Sequence, residues 1–391
     1  MKTLLLISIL SLSYFTYASS NCNEASIQCG KTPTAIFDKN GKLWGVFYHE
    51  KYLYLSHSHN KGKSFSKPVK INAVAEEVYT NGENRPKIII GPKQQIYISW
   101  TAITKGRFNG DIRFTKSTDG GTTFPSPVTI NDDGLLTGHR FESLQISKSG
   151  VIYLIWIDKR DKVATKAKGQ EYSGAAIYYA TSYDNGKSFS TNKKVIDHTC
   201  ECCRIATTQY KDNIVAMWRN IYATNTRDHA LAVLTPAKLS VNEVSIHRAT
   251  IDNWNIDACP HHGPDISFSN EQGVHMAWFS DGSINKGLSY AFFDLKKNRI
   301  IKQKNMDERP GASHPQVLFA NDKTYYLWKY FDGVQTQLLL KTSNDFGKIW
   351  SETNSVFATP EANDHPFLLS GKNKVYFTWL AGTEYVVKEI L

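Results

Sequence analysis

The chain has 391 residues, ample for a sizeable core, and carries 46 Lys and Arg against 36 Asp and Glu, a net charge of +10. That balance favours acidic partners such as anionic glycans or membrane surfaces, and it fits a solvated basic surface equally well. No block of Lys or Arg and no nucleic-acid-binding motif accompanies the charge, which argues against a nucleic-acid partner.

The chain opens "MKTLLLISILSLSYFTYASSNC": one lysine, a short apolar run, then small residues. This predicts a secretory signal peptide over 1–20, cleaved near Ala18 or Ser20. The apolar run is too short for a membrane anchor, and no later run approaches a spanning length. Cys22 follows "SSN", which lacks the small apolar residues that precede a lipidated cysteine. Residues 21–391 are therefore expected as one exported domain, secreted or periplasmic, where disulfides persist. Cys22 and Cys29 are close enough for a local disulfide.

From residue 32 onward one pattern repeats: an apolar strand, a polar turn, and a second strand ending in an aromatic. It is seen in "TPTAIFDKNGKLWGVF" (32–47), "RPKIIIGPKQQIYISW" (85–100) and "RFESLQISKSGVIYLIW" (140–156). It continues in "RIATTQYKDNIVAMW" (204–218), "GPDISFSNEQGVHMAW" (263–278), "HPQVLFANDKTYYLW" (314–328) and "HPFLLSGKNKVYFTW" (365–379). Phe47, Trp100, Trp156, Trp218, Trp278, Trp328 and Trp379 recur at this spacing, so six of the nine tryptophans belong to the repeat and read as packing core. Further alternating segments with Asp-Gly or Asn-Gly turns follow each hairpin, and no segment after the leader has helical periodicity. Four-stranded units around a ring make an all-β protein, a β-propeller of seven blades, or of six if one hairpin is accessory. The last unit has room for three strands, and a strand near "ASIQCG" (25–30) would complete it.

Four turns share a signature. "STDGGTTF" (117–124), "SYDNGKSF" (182–189) and "SNDFGKIW" (343–350) read S-x-D-x-G-x-x-aromatic, and "SHNKGKSF" (58–65) has Asn60 in place of the aspartate. The chain thereby resembles the sialidase and BNR-repeat propellers with their Asp-box turns, over essentially the whole of 21–391. The aspartate is expected to bond backbone N–H groups in the turn, so Asp119, Asp184 and Asp345 read as structural.

The resemblance implies that the loops before each first strand and after each terminal aromatic ring one ligand face. Those loops hold Glu83, Arg85, Arg140 and Glu142, then Cys200–Arg204, Cys259–His262, Arg309 with His314, and Asp364 with His365. Asp158, Arg160, Arg219, Arg227, Asp228 and Asp281 join them from the other loop set. A sialidase clamps a carboxylate with arginines and uses a Tyr–Glu nucleophile pair with an aspartate acid/base. Arg85, Arg140, Glu142, Arg204, Arg219 and Arg309 are the candidates here for binding and processing an acidic glycan or another small anion, as an exo-α-sialidase-like hydrolase. The Phe/Tyr-Arg-Ile-Pro motif of the family is missing: "GKTP" (30–33) stands in its place and "NRPK" (84–87) matches in part. No Tyr–Glu pair stands out at the mouth; Tyr172, Tyr222 and Tyr330 are the tyrosines left open for that role.

"HTCECCR" (198–204) and "DACPHHGP" (257–264) bring Cys200, Cys202, Cys203 and Cys259 to the mouths of adjacent blades, the fourth and fifth. They can form disulfides, or bind a soft or borderline ion such as copper or zinc together with His261 and His262. His198, His314 and His365 are further possible ligands. A third reading is a non-catalytic glycan or protein binder, for which the fold alone is no discriminator. A monomer is expected.

Overall fold

The computed structural model describes residues 22–236, 244–269 and 273–391. The predicted leader and its cleavage region lie outside the described residues. The chain forms seven antiparallel sheets, each built from consecutive strands, arranged as a seven-bladed propeller. The first strand of each blade packs against the first strands of its neighbours and so lines the axis. These inner strands are Lys31–Phe37, Lys87–Ile90, His139–Ile146, Ala206–Tyr210, Asp265–Ser269, Ala312–Ala320 and Phe367–Gly371 for blades 1 to 7. The alternative of six blades is excluded.

Each terminal aromatic is buried in its blade: Phe47, Trp100, Trp156, Trp218, Trp278, Trp328 and Trp379. The indole N–H groups are not orphaned. Trp100 donates to Glu76, Trp156 to Asp158, Trp278 to Asp252 and Trp328 to Asp307, at 2.7–3.0 Å. A large apolar ring with its one polar atom satisfied is an efficient blade filler.

The four signature turns have one hydrogen-bond pattern. In the first, Ser117 Oγ donates to Asp119 Oδ1 and accepts from Gly121 N, while the backbone N–H groups of Thr122 and Thr123 donate to Asp119 Oδ1. Gly121 sits at φ +82° against Leu55 of the neighbouring blade, a position that excludes a side chain. Asn60 substitutes through its own Oδ1, which accepts from Ser64 N.

Two expectations need correction. Residues 25–30 do not complete blade 7, which has three strands. The chain there turns tightly, with the Cys22–Cys29 disulfide and a Cys29 N–H to Ser26 bond closing the bend. It is anchored instead by Ile27, which packs with Phe47 and Tyr385 between blades 1 and 7, and by Gln28, whose amide oxygen accepts from Tyr385 N. The ring closes by packing of the inner strands of blades 7 and 1. The second correction is a helix, Arg160–Ala167, in the loop after the second strand of blade 3. None of its residues is buried, so it carries no apolar periodicity to read.

Trp278→Ala is expected to lower unfolding free energy by about 3–5 kcal/mol, because it opens a cavity in blade 5 and leaves Asp252 short of a donor. Chemical denaturation of the two proteins measures this.

Candidate functional site: a thiol pocket and an imidazole row around a charged hub

Arg204, which precedes the inner strand of blade 4, reaches across to the loops of blades 2, 5 and 6. Its Nη1 lies 3.1 Å from Glu83 Oε1 of the blade 2 loop. Nε donates to the Pro264 carbonyl of blade 5 at 3.0 Å, and Nη2 to the Pro315 carbonyl of blade 6 at 3.3 Å. Glu83 Oε2 also accepts the backbone N–H groups of Arg204 and Gly263, at 2.9 and 3.0 Å. Both side chains are nearly fully buried.

The other predicted arginines divide sharply. Arg85 pairs with Asp364 of blade 7 and lies over Phe367. Arg219 is buried, donates to the carbonyls of Arg227, His262 and Phe279, and stacks on Trp254. Arg309 stands apart, held by Asp307 and lying over Tyr330. Arg140 alone of the five makes no side-chain hydrogen bond among the described residues. It is sandwiched by Tyr79, Phe108 and Phe141, and burial lowers its pKa against the opposing pull of Tyr79, Cys202, Glu201 and Cys259. Glu142 is buried in the channel, accepts from Thr101 Oγ1 at 2.6 Å and is pushed up by burial.

The cysteines come together. Cys200, Cys202 and Cys203 are buried free thiols, with Cys200 Sγ 3.6 Å from Cys202 Sγ and 4.0 Å from Cys203 Sγ. Cys259 is a free, exposed thiol at the rim of this group and interacts with Cys202. The loop geometry explains the inward turn. Glu201 points outward to Lys159 and Lys162 at the start of the short helix, while the Cys200 N–H donates to the Arg219 carbonyl. Hydrogen bonds from Cys202 and Cys203, with Arg219 and Arg227 nearby, hold Cys200 well below the usual thiol pKa; Cys202 and Cys203 are raised by bonding to it. Cys259 is lowered to about 7 by its bond with Cys202. Arg227 Nη1 reaches Cys200 Sγ at 3.4 Å.

Beside the rim lies a cavity of about 540 Å³ lined by Lys162, Tyr172, His198, Tyr222, Arg227 and Asp257. A smaller one of about 280 Å³ shares Lys162, Arg227 and Asp257 and reaches Cys259. Tyr172 donates to Asp197 at 2.6 Å and its pKa is raised, by burial first and then by that carboxylate. His198 lies tilted against Tyr172 and bonds the Ser173 carbonyl, and His261 is exposed. His262 turns from the cysteines to Phe279 and His314, and His314 stacks on His365 at 3.6 Å between ring centroids. Glu83 was legible in the sequence as a mouth residue, but nothing in the spacing marked it as the partner of Arg204, 121 residues away.

No protein-family model matches the chain, and no curated protein matches it. Its fold is similar to that of polysaccharide lyase Uly1, with a TM-score of 0.53 at 11% identity over 92% of this chain and 88% of that one. It is also similar to a leech intramolecular trans-sialidase, TM-score 0.51 at 9% identity over 89% and 82% of the two chains. The third is a Penicillium chrysogenum alpha-L-arabinanase, TM-score 0.50 at 12% identity over 94% of each. At these identities the likeness is one of fold alone, that of a β-propeller.

His139, at the start of the blade 3 inner strand, is buried with both ring nitrogens facing acceptors, Gly110 O at 2.9 Å and Asp133 Oδ2 at 3.0 Å. Burial alone would lower its pKa, but Asp111, Asp133 and Asp158 raise it to about 10. A folded value above the ordinary one stabilises fully below about pH 6.5 and fades as pH climbs through about 10. His139→Gln is therefore expected to cost about 3 kcal/mol at pH 6 and clearly less at pH 10, measured by paired denaturation curves.

Proposed function

We propose that this is an exported propeller that holds a soft transition-metal ion in the thiol pocket, Cu(I) foremost, through Cys200, Cys202 and Cys203. The observation that carries this reading is the spacing of three buried, unbridged sulfurs at 3.6 and 4.0 Å. Metal–thiolate bonds of about 2.3 Å place ligand sulfurs roughly 3.7–4.0 Å apart in tetrahedral or trigonal geometry. A metal ion replaces the protons that otherwise keep the sulfurs from sharing more than one negative charge. Arg140, Arg219 and Arg227 offset the anionic charge of a metal–thiolate unit, and thiolates select Cu(I) and zinc. Zinc would recruit Cys259 as a fourth ligand. The leader-like pattern of residues 1–20 fits delivery of this site outside the cytoplasm, in the secreted or periplasmic space.

Reduced protein is expected to take one equivalent of Cu(I) against a chromophoric chelator. Cys200→Ser with Cys203→Ser should weaken that binding at least about 100-fold, on the scale set by losing ligands rather than their supporting shell. Four oxidised cysteines in protein from its native compartment, with no metal in the same sample, would overturn the reading.

A second reading is favoured by Arg140, a guanidinium that makes no side-chain hydrogen bond among the described residues and lies against Tyr79, Phe108 and Phe141. Guanidinium forks recognise carboxylates, so an acidic glycan is the ligand class, and an exo-α-sialidase-like hydrolysis is its most specific form. The similar folds named above include one crystallised with arabinobiose and one with 2,7-anhydro-Neu5Ac. The commitment of Arg85, Arg204, Arg219 and Arg309 to internal partners weighs against a clamp built from several arginines. On this reading a fluorogenic sialoside or an acidic polysaccharide is turned over, and Arg140→Ala lowers kcat/KM by about 100-fold, the loss of one charged bidentate contact. No turnover on a broad panel, or turnover indifferent to Arg140, removes it.

A further inference from the structure

His262, His314 and His365 arrive from three successive blades, 5, 6 and 7, each from the loop or bulge at the head of the inner strand. Their rings form a row, with centroids 4.8 Å apart for His262–His314 and 3.6 Å for His314–His365. In all three the Nδ1 atom is buried and has no hydrogen-bond partner among the described residues. Three orphaned imidazole nitrogens side by side are costly unless something binds them. Glu83 Oε1 lies 3.6 Å from His365 Nδ1, and Glu83, His314 and His365 each offer a ligand atom within 4.8 Å of the others.

The backbone is shaped to this row. Gly82 lies so close to the His365 ring that a Cβ there would collide with it, and a Cβ on Gly263 would collide with Glu83 and Arg204. His314 has φ +51° immediately before Pro315, a sparsely populated conformation for a non-glycine residue. The nearby cations are tied down: Arg204 to Glu83, Arg85 to Asp364, and Lys329 to the Asp364 carbonyl.

We propose that the row is a second metal site, distinct from the thiol pocket, in which His314, His365 and Glu83 bind a borderline divalent ion such as Zn(II), with the unpartnered Nδ1 of His262 beside them as a further donor. Imidazole and carboxylate suit zinc, and bonds of about 2.0–2.1 Å would draw the donors inward from their present spacing. This site rests on different residues from the proposed Cu(I) pocket and stands or falls separately.

The test uses the full chain with Zn(II) and with Co(II) as a spectroscopic probe. Wild type should bind Co(II) with two signatures, a sulfur-to-cobalt charge-transfer band and a separate ligand-field spectrum free of thiolate. His314→Ala with His365→Ala should abolish the second signature, weaken that Zn(II) equivalent by about 100-fold or more, and leave the charge-transfer band intact. Cys200→Ser with Cys203→Ser should do the reverse. If the alanine variant fails to fold by circular dichroism, His314→Gln with His365→Gln keeps the volume and answers the same question. Retention of the thiolate-free equivalent in either folded histidine variant overturns the proposal, as does a wild type that shows no such equivalent.

Discussion

The Glu83–Arg204 pair at the axis is the contact on which the ligand face depends. Burying two charges costs several kcal/mol per ion unless every remaining donor and acceptor is met. Here Arg204 spends its N–H groups on Glu83, Pro264 and Pro315, and Glu83 spends its second oxygen on two backbone N–H groups. Blades 2, 4, 5 and 6 are thereby joined at a single point. The thiol pocket and the imidazole row flank this buried pair.

On one side lies the thiol pocket. Its construction separates charge by alternation along a single loop: Cys200, Cys202 and Cys203 face inward and Glu201 outward to lysines. The inward face meets arginines, so negative charge on sulfur is compensated from the protein, and the one acid in the loop is neutralised elsewhere. Arg219 extends this arrangement. By donating to the His262 and Phe279 carbonyls it fastens the second cysteine-bearing loop to blade 4, which sets where Cys259 can stand.

Much of the fold was legible because it is encoded locally and repeatedly. An aromatic at the end of every second strand recurs at a fixed place in each unit, and the Ser-x-Asp-x-Gly turn is satisfied within a few residues, so the pattern survives in one dimension. The three-stranded seventh blade was not legible, because whether 25–30 pairs as a strand depends on Ile27 finding the gap beside Phe47 and Tyr385. The helix at 160–167 was invisible for the opposite reason: it buries nothing and is held by charges. At the site, residue types were visible but their commitments were not. Arg85, Arg204 and Arg219 look alike in sequence, and only tertiary partners show that Arg140 is the one left without a hydrogen bond. His314 and His365 looked like minor ligand candidates beside the cysteines, yet they form their own group with His262.

The two proposed sites share one anchor. Arg204 directly follows Cys203, Gly263 directly follows His262, and their N–H groups meet on the same carboxylate oxygen of Glu83. The position of the last buried sulfur and that of the first imidazole are thus referenced to a common atom. Across that atom the donors change from thiolate to imidazole and carboxylate, a gradient from soft to borderline. First-row metals discriminate poorly by affinity alone, so donor type and geometry must do the sorting. On these proposals the mouth would sort by placement: an ion preferring sulfur would be held at Cys200, Cys202 and Cys203, and one preferring nitrogen and oxygen at His314, His365 and Glu83.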